Sequence, residues 1–174
     1  MQKNIGKILT VLCSTAIICA ALVGCGKKES EELESYKEQM TGFYDKLAYY
    51  DRSINTIDPD SETAKDELLE YLDEMNSSYY SMASYDIPEE FTGISDIAVE
   101  AADYMQKAQE YYHMAFDGSY DESSKSLADQ YYERANSRAM VILQVLHGEV
   151  PTGEGVIVTT QEPGQFDTVS EDED

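Results

Sequence analysis

The chain has 174 residues, with 35 acidic and 12 basic side chains and a formal net charge of −23 at pH 7. This charge argues against nucleic acid as a partner, because nucleic-acid binding depends on Lys and Arg neutralising phosphates. The three cysteines, Cys13, Cys19 and Cys25, all lie near the start, so the rest of the chain can form neither a disulfide nor a thiolate site.

Residues 1–24 have the three parts of a secretory signal peptide. Lys3 and Lys7 form a basic start, an uncharged and mostly apolar run extends from Ile8 to Val23, and small residues precede the expected cut. The uncharged stretch from Ile8 to Gly26 has 19 residues. That length also suits a membrane-spanning helix, so an uncleaved anchor is the alternative to cleavage.

The end of this segment, Leu22-Val23-Gly24-Cys25, resembles the lipobox of bacterial lipoproteins. The resemblance implies that a peptidase removes residues 1–24 and that the thiol of Cys25 carries a diacylglycerol. Residues 25–30 then form a lipid anchor and short linker, which attaches an extracytoplasmic protein to the cell membrane. Cleavage would remove two lysines and no acid, leaving a net charge of −25.

Apolar residues then recur at helical spacing. The first predicted helix runs from Glu29 to about Ile57. Asp58-Pro59 suits the start of a second helix, which extends to about Ser84. The first helix carries a strict heptad stripe of Leu33, Tyr36, Met40, Phe43, Leu47, Tyr50, Ile54 and Ile57.

Two more helices follow a break at Asp86-Ile87-Pro88. The third begins at Pro88 or at Ile94 and stops at Asp117-Gly118, and the fourth runs from about Asp121 to His147, where Gly148 ends it. The predicted inner face of the third helix comprises Ile94, Ile97, Ala101, Tyr104, Ala108, Tyr111 and Ala115. That of the fourth comprises Leu127, Tyr131, Ala135, Ile142 and Val145.

Short connections force neighbouring helices to be antiparallel. The sequence therefore predicts an all-α, up-down-up-down antiparallel four-helix bundle over residues 31–147, with a three-helix or longer coiled-coil arrangement as the alternative. Residues 149–174 contain eight acids and no Lys or Arg, so residues 148–174 are predicted to be a disordered acidic tail. The tether at Cys25 predicts that the Asp86–Phe91 turn and His147 face the membrane.

The sequence also contains a faint internal repeat. Four residues near the start of the second helix recur sixty positions later, near the start of the fourth. The pairs are Glu62 with Glu122, Lys65 with Lys125, Tyr71 with Tyr131, and Asn76 with Asn136. Duplication of a helical hairpin and chance similarity between two helix starts both explain this pattern.

The chain contains no convincing catalytic or metal-binding set. Glu110 and His113 have the Glu-x-x-His spacing of di-iron bundles, but the segment ending at His147 has Gln144 in place of the second Glu. Asp58, Asp60 and Glu62 begin like a calcium loop that later lacks its Gly and its Glu. The interpretation is a non-enzyme without a metal or cofactor, although paired carboxylates for glycoside chemistry stay open.

The aromatic composition is unusual, with 14 Tyr, 4 Phe and no Trp. These tyrosines belong either to a core whose hydroxyls reach water between helices or to a groove for a peptide, glycan or lipid. The sequence favours a non-catalytic binding or spacer module at the cell envelope, with a small-ligand or cation carrier, or an accessory to a cell-wall enzyme, as alternatives. The stripe positions concerned are Tyr36, Tyr50, Tyr71, Tyr104 and Tyr111.

Overall fold

The computed structural model describes residues 30–153. Every regular element in that range is helical, which confirms the predicted all-α four-helix bundle. The lipobox with Cys25 and the acidic residues 154–174 lie outside the described range. The helices are α1 (Glu31–Thr56), α2 (Ala64–Met82), a short 3₁₀ helix (Glu89–Ile94), α3 (Ser95–Phe116) and α4 (Glu122–Leu146).

Contacts between side chains show that successive helices are antiparallel. Along each pair, residue numbers rise on one helix as they fall on the next. Three sets of contacts establish this direction. They are Phe43–Tyr79 and Tyr50–Tyr71 for α1 and α2, Asn76–Gln109 and Asp73–His113 for α2 and α3, and Glu100–Arg138 and Tyr112–Asp129 for α3 and α4.

The four helices are not equally spaced. The α3–α4 pair packs most closely, because its buried surfaces are rich in alanine, whose small side chain lets two backbones approach. In contrast, no Cα atom of α1 lies within 8 Å of a Cα atom of α4. Large side chains fill that wider gap, and the Tyr44 hydroxyl crosses it to donate to the Ala139 carbonyl at 2.7 Å.

The predicted start of α2 at Asp58-Pro59 is wrong. The Asp58 carboxylate accepts a hydrogen bond from the Asp60 backbone N–H at 3.0 Å, which makes a local turn instead of a helix cap. The helix begins only at Ala64, after Thr63. An acid followed by Pro fits both a turn and a helix start, so the local pattern did not distinguish them.

The later boundaries follow local chemistry more closely. Both proposed starts of the third helix are used, since the 3₁₀ helix follows Pro88 and α3 follows Ile94. Asp121 caps α4 as predicted, with its carboxylate accepting from the Ser123 N–H at 3.0 Å. Gly148 follows α4 with φ +72°, a conformation that favours glycine at a helix end.

The buried face of α3 is rotated from the predicted one. The predicted stripe has Tyr104 and Tyr111 on the inner face, but the large side chains of α3 that the core buries are Met105, Tyr112 and Phe116. Likewise Leu127 of α4 is exposed, and the adjacent Ala128 is buried. Alanines occur on several sides of these helices and so blur the apolar stripe, while tyrosines prefer the edge of a core where their hydroxyls meet polar partners.

One end of the bundle brings together α1 and the turn before α3. The rings of Tyr36 and Phe91 lie 6.1 Å apart, so the start of α1 and the Asp86–Phe91 turn share this end. The direction of this end toward a membrane remains a prediction. Between residues 30 and 153, no helix combines the length and apolar character needed to cross a bilayer.

Candidate functional site

The five tyrosines of the predicted groove occupy three separate places. Tyr36 is only 2% exposed and packs near Phe91, and its burial raises the pKa of its hydroxyl to about 12. Tyr50 and Tyr71 meet between α1 and α2. Tyr104 and Tyr111 lie between α3 and α4. The structure therefore does not bring the five into a single groove.

The tyrosines between α3 and α4 form a compact cluster with Tyr131. The rings of Tyr111 and Tyr131 are stacked, with centroids 5.7 Å apart and planes inclined by 7°. Tyr104 extends the cluster along α3, and its centroid lies 6.2 Å from that of Tyr131. All three side chains are half-buried, so part of each ring remains accessible to a partner.

Two cations lie over this cluster. The Lys107 Nζ is 5.5 Å from the Tyr131 ring centroid and 5.9 Å from that of Tyr104. The Arg134 Cζ is 5.6 Å from Tyr131 and 5.8 Å from Tyr104. Each arrangement is a cation–π contact, in which the electron-rich ring face attracts the positive group. Because both basic residues are exposed, their charge remains available on the surface.

An ion pair borders the cluster toward the C-terminal end of α4. The Arg138 guanidinium donates to the Glu100 carboxylate, and the Tyr104 hydroxyl donates to the same carboxylate at 2.8 Å. The hydrogen bond from Arg138 is the main cause that lowers the pKa of Glu100, and the hydrogen bond from Tyr104 lowers it further. The pair therefore stays ionised near neutral pH and holds Tyr104 in place beside Lys107.

Two exposed apolar side chains border the cluster at its opposite end. Met114 is 62% exposed and Leu127 is 38% exposed. Met114 follows Tyr111 by three positions and Leu127 precedes Tyr131 by four, so each continues its helix face. We call the whole surface the tyrosine–basic seam. It comprises Tyr104, Lys107, Tyr111, Met114, Leu127, Tyr131, Arg134 and Arg138.

The matching surface of the first hairpin has a different charge. Tyr49 and Tyr71 meet between α1 and α2 with ring centroids 6.4 Å apart, and Tyr71 is the repeat counterpart of Tyr131. However, the exposed Glu74 stands sixty residues before Arg134. The two hairpins thus present similar tyrosine pairs, and in the second pair Lys107 and Arg134 lie over the rings.

Three buried tyrosines outside the predicted set stabilise the core. The first is Tyr44, whose hydroxyl donates to the Ala139 carbonyl. The Tyr79 hydroxyl donates to the Asn136 Oδ1 at 2.8 Å, and the Tyr112 hydroxyl donates to the Asp129 Oδ1 at 2.8 Å. Burial is the main cause that raises the pKa of each hydroxyl. In the sequence only Tyr79 gives a signal, because it follows Leu72 and Met75 at helical spacing. The hydrogen-bond partners of all three tyrosines lie far away in sequence.

His113 links α2 to the end of α3. Its Nε2 lies 2.9 Å from the Asp73 Oδ1, and its Nδ1 lies 2.8 Å from the Asp117 Oδ2. Partial burial opposes protonation, but the hydrogen bonds to both carboxylates outweigh it and raise the pKa of His113. A neutral imidazole can donate to only one of the two acceptors. Across residues 30–153, no group of three or more His, Cys, Asp or Glu is arranged to hold a metal ion.

This arrangement predicts a pH-dependent contribution to stability. A raised pKa means that protonated His113 stabilises the fold fully below its unfolded pKa of about 6.5, and that this stabilisation is lost as pH rises through the folded pKa. Urea unfolding between pH 5.5 and 8.5 should therefore show stability falling with pH. His113→Gln should reduce this slope, whereas the exposed cap residue His147→Gln should preserve it. An unchanged slope in His113→Gln would contradict the assignment.

Comparison of this chain with known protein families, with characterised proteins and with solved structures finds no match in any of the three. The tyrosine–basic seam combines ring faces, positive charge and exposed apolar groups on one surface. These features suit recognition of an acidic partner that also carries apolar side chains.

Proposed function

We propose that this protein is a membrane-anchored extracytoplasmic lipoprotein that acts as a non-catalytic binding module at the cell envelope. The resemblance of Leu22-Val23-Gly24-Cys25 to a lipobox supports the anchor. An acylated Cys25 would supply two or more lipid chains, which is enough for stable attachment. Lys27 and Lys28 follow at once, where they would meet anionic head groups for about 1 kcal/mol each.

The observation that carries the binding role is the stacked Tyr111–Tyr131 pair with Lys107 and Arg134 above it. Tyr, Met and Arg are enriched at protein interfaces, whereas Glu and Asp are depleted. The chain has only three arginines, and two of them, Arg134 and Arg138, belong to this seam. The basic side chains beside these rings favour a partner that presents acidic groups to this surface.

A spacer is the other non-catalytic role predicted from sequence, and the seam favours binding over it. A spacer requires only a stable, soluble bundle. Its surface has no need of an exposed Met114 beside stacked tyrosines and two cations. Grouped exposed apolar residues with a polar border are typical of interaction sites.

Affinity capture from solubilised envelopes tests this proposal, with the full-length protein as bait. A partner of the seam should be retained about ten-fold less by Arg134→Glu, because the substitution reverses a charge beside the aromatic pair. Tyr111→Ala should weaken retention similarly by removing the stack. Tyr49→Ala is the matched control, since Tyr49 is an exposed tyrosine of the α1–α2 pair.

Circular dichroism should show that all three variants keep the wild-type helix content and melting temperature within a few degrees. A partner retained equally by wild type, Arg134→Glu and Tyr111→Ala would place binding elsewhere on the protein. Loss of retention in Tyr49→Ala alone would move the proposed site to the α1–α2 pair.

A further inference from the structure

We propose that the acidic segment of residues 154–174 in this same chain binds the tyrosine–basic seam and competes there with an external partner. The inference rests on the proposed role of the seam as a binding surface. It adds the identity of one occupant and a means of regulating access. Three features support it, namely the path of the chain after α4, the reach of the segment and its charge.

The chain turns back after α4 and does not continue along the helix axis. Gly148 has φ +72°, and the Glu149 N–H donates to the Gln144 carbonyl at 2.9 Å. The Thr152 N–H then donates to the Gln144 Oε1 at 3.1 Å. Thr152 therefore lies beside a residue that precedes it by eight positions. The last described residues lie against the C-terminal turn of α4, the helix that carries half of the seam.

The segment is long enough to reach the seam from this point. Gln144 and Arg134 are ten residues apart on α4, which corresponds to about 15 Å along the helix. The 21 residues from 154 to 174 can span up to about 70 Å when extended. Even a strongly contracted path covers the distance between Thr152 and the ring cluster, so geometry does not prevent binding within one molecule.

Charge favours the contact. Residues 154–174 contain seven acids and no Lys, Arg or His. The seam supplies Lys107, Arg134 and Arg138, of which Arg138 also pairs with Glu100. The segment also contains Phe166 between Gln165 and Asp167, an aromatic side chain suited to the exposed Met114 and the tyrosine rings.

Tethering and salt screening allow the segment to bind despite the overall negative charge of the protein. Each exposed ion pair contributes little to affinity, so a free peptide would bind weakly. A tethered segment, however, is present at an effective concentration of about 1 mM or more. Repulsion from acids of the bundle is screened beyond about 8 Å at physiological salt, so only acids near the seam, such as Asp103 and Glu110 on α3, oppose the contact. Weak local attraction is then enough to occupy the seam in a fraction of the molecules.

The contact would make access to the seam depend on competition. An external acidic partner must displace the segment, so its apparent affinity equals its intrinsic affinity multiplied by the fraction of molecules in which the seam is free. A chain that ends at residue 153 should then bind the same partner more tightly than the full-length chain.

Zero-length carbodiimide crosslinking tests the contact in the full-length protein in detergent. The reagent joins a carboxylate to a lysine amine as an amide with loss of water. Lys107 should form crosslinks to residues 154–174 at least five-fold more often than Lys46, an exposed lysine of α1. Equal crosslinking of the two lysines would overturn the proposal.

A one-to-one mixture of ¹⁴N- and ¹⁵N-labelled chains should give crosslinked peptides of a single isotope. Mixed peptides at the statistical fraction would show contact between molecules and overturn binding within one chain.

Charge reversal at Arg134 provides the second test. Arg134→Glu should lower the Lys107 crosslinks at least five-fold, whereas Arg52→Glu, at an exposed arginine of α1, should leave them unchanged. An equal loss in both variants would mean that only the overall charge matters and would also overturn the proposal. If crosslinks to Lys107 are absent but Arg134→Glu still loses the envelope partner, only this inference fails and the proposed function stands.

Discussion

Replacing Tyr79 with alanine is expected to lower the free energy of unfolding by about 3–5 kcal/mol. Tyr79 is fully buried, packs edge-to-face on Phe43 with centroids 5.2 Å apart, and donates its hydroxyl to Asn136. The substitution therefore leaves a large cavity where α1, α2 and α4 meet. This loss is comparable with the total stability of many domains, about 5–15 kcal/mol. Urea unfolding followed by circular dichroism measures it.

Two further variants separate the ring of Tyr79 from its hydroxyl. Tyr79→Phe keeps the ring but removes the donor to the oxygen of the half-buried Asn136, which should cost about 1–3 kcal/mol. The neighbouring Tyr80 is 72% exposed, so Tyr80→Ala should change stability by no more than about 0.5 kcal/mol. If Tyr80→Ala destabilised the protein as much as Tyr79→Ala, the assignment of Tyr79 to the core would be wrong.

Replacing Cys25 with alanine is expected to abolish lipid attachment. The resemblance of the leader to a lipobox assigns Cys25 as the only acylated residue, and alanine has no thiol to accept a diacylglycerol. Cells grown with a labelled fatty acid should incorporate the label into the wild-type chain and not into Cys25→Ala. The expected loss of signal is complete, because no other cysteine lies beyond residue 24.

Cys19→Ala is the matched control for this experiment. Cys19 also lies in the leader, but it precedes the proposed cut, so Cys19→Ala should incorporate the label like wild type. Label retained in Cys25→Ala would overturn the lipid anchor. A wild-type chain that carries no label but keeps residues 1–24 would favour the alternative of an uncleaved membrane-spanning segment.

Much of the fold follows from local patterns in the sequence. The 3-and-4 spacing of apolar residues in α1 depends on helix geometry alone, and Tyr36, Met40, Phe43, Tyr50 and Ile54 of that stripe are buried. The cap at Asp121 and the stop at Gly148 likewise depend on hydrogen bonds and backbone angles within a few residues. Local chemistry predicted these features because only neighbouring residues determine them.

The errors occur where a local pattern has two solutions. Asp58 fits both a turn and a helix cap, and in the structure its carboxylate accepts from the Asp60 N–H in a turn. The α3 stripe was equally ambiguous, because its alanines fit more than one buried face. Close packing against α4 selects the face that buries Tyr112 and leaves Tyr111 at the edge. Choices of this kind depend on a neighbouring helix and are not encoded in one segment.

The candidate site likewise combines features that the local sequence determines with features that only tertiary packing determines. The sequence alone determined four helical segments, a strongly acidic charge, an unusual number of tyrosines and a lipobox-like Cys25, because composition and short-range spacing express these properties. Only the tertiary structure decided that Tyr36, Tyr50 and Tyr111 lie in different places. It also placed Lys107 and Arg134, which are 27 positions apart, over the same rings. The physical reason is the antiparallel approach of α3 and α4 on their alanine faces, which no pattern within either helix specifies.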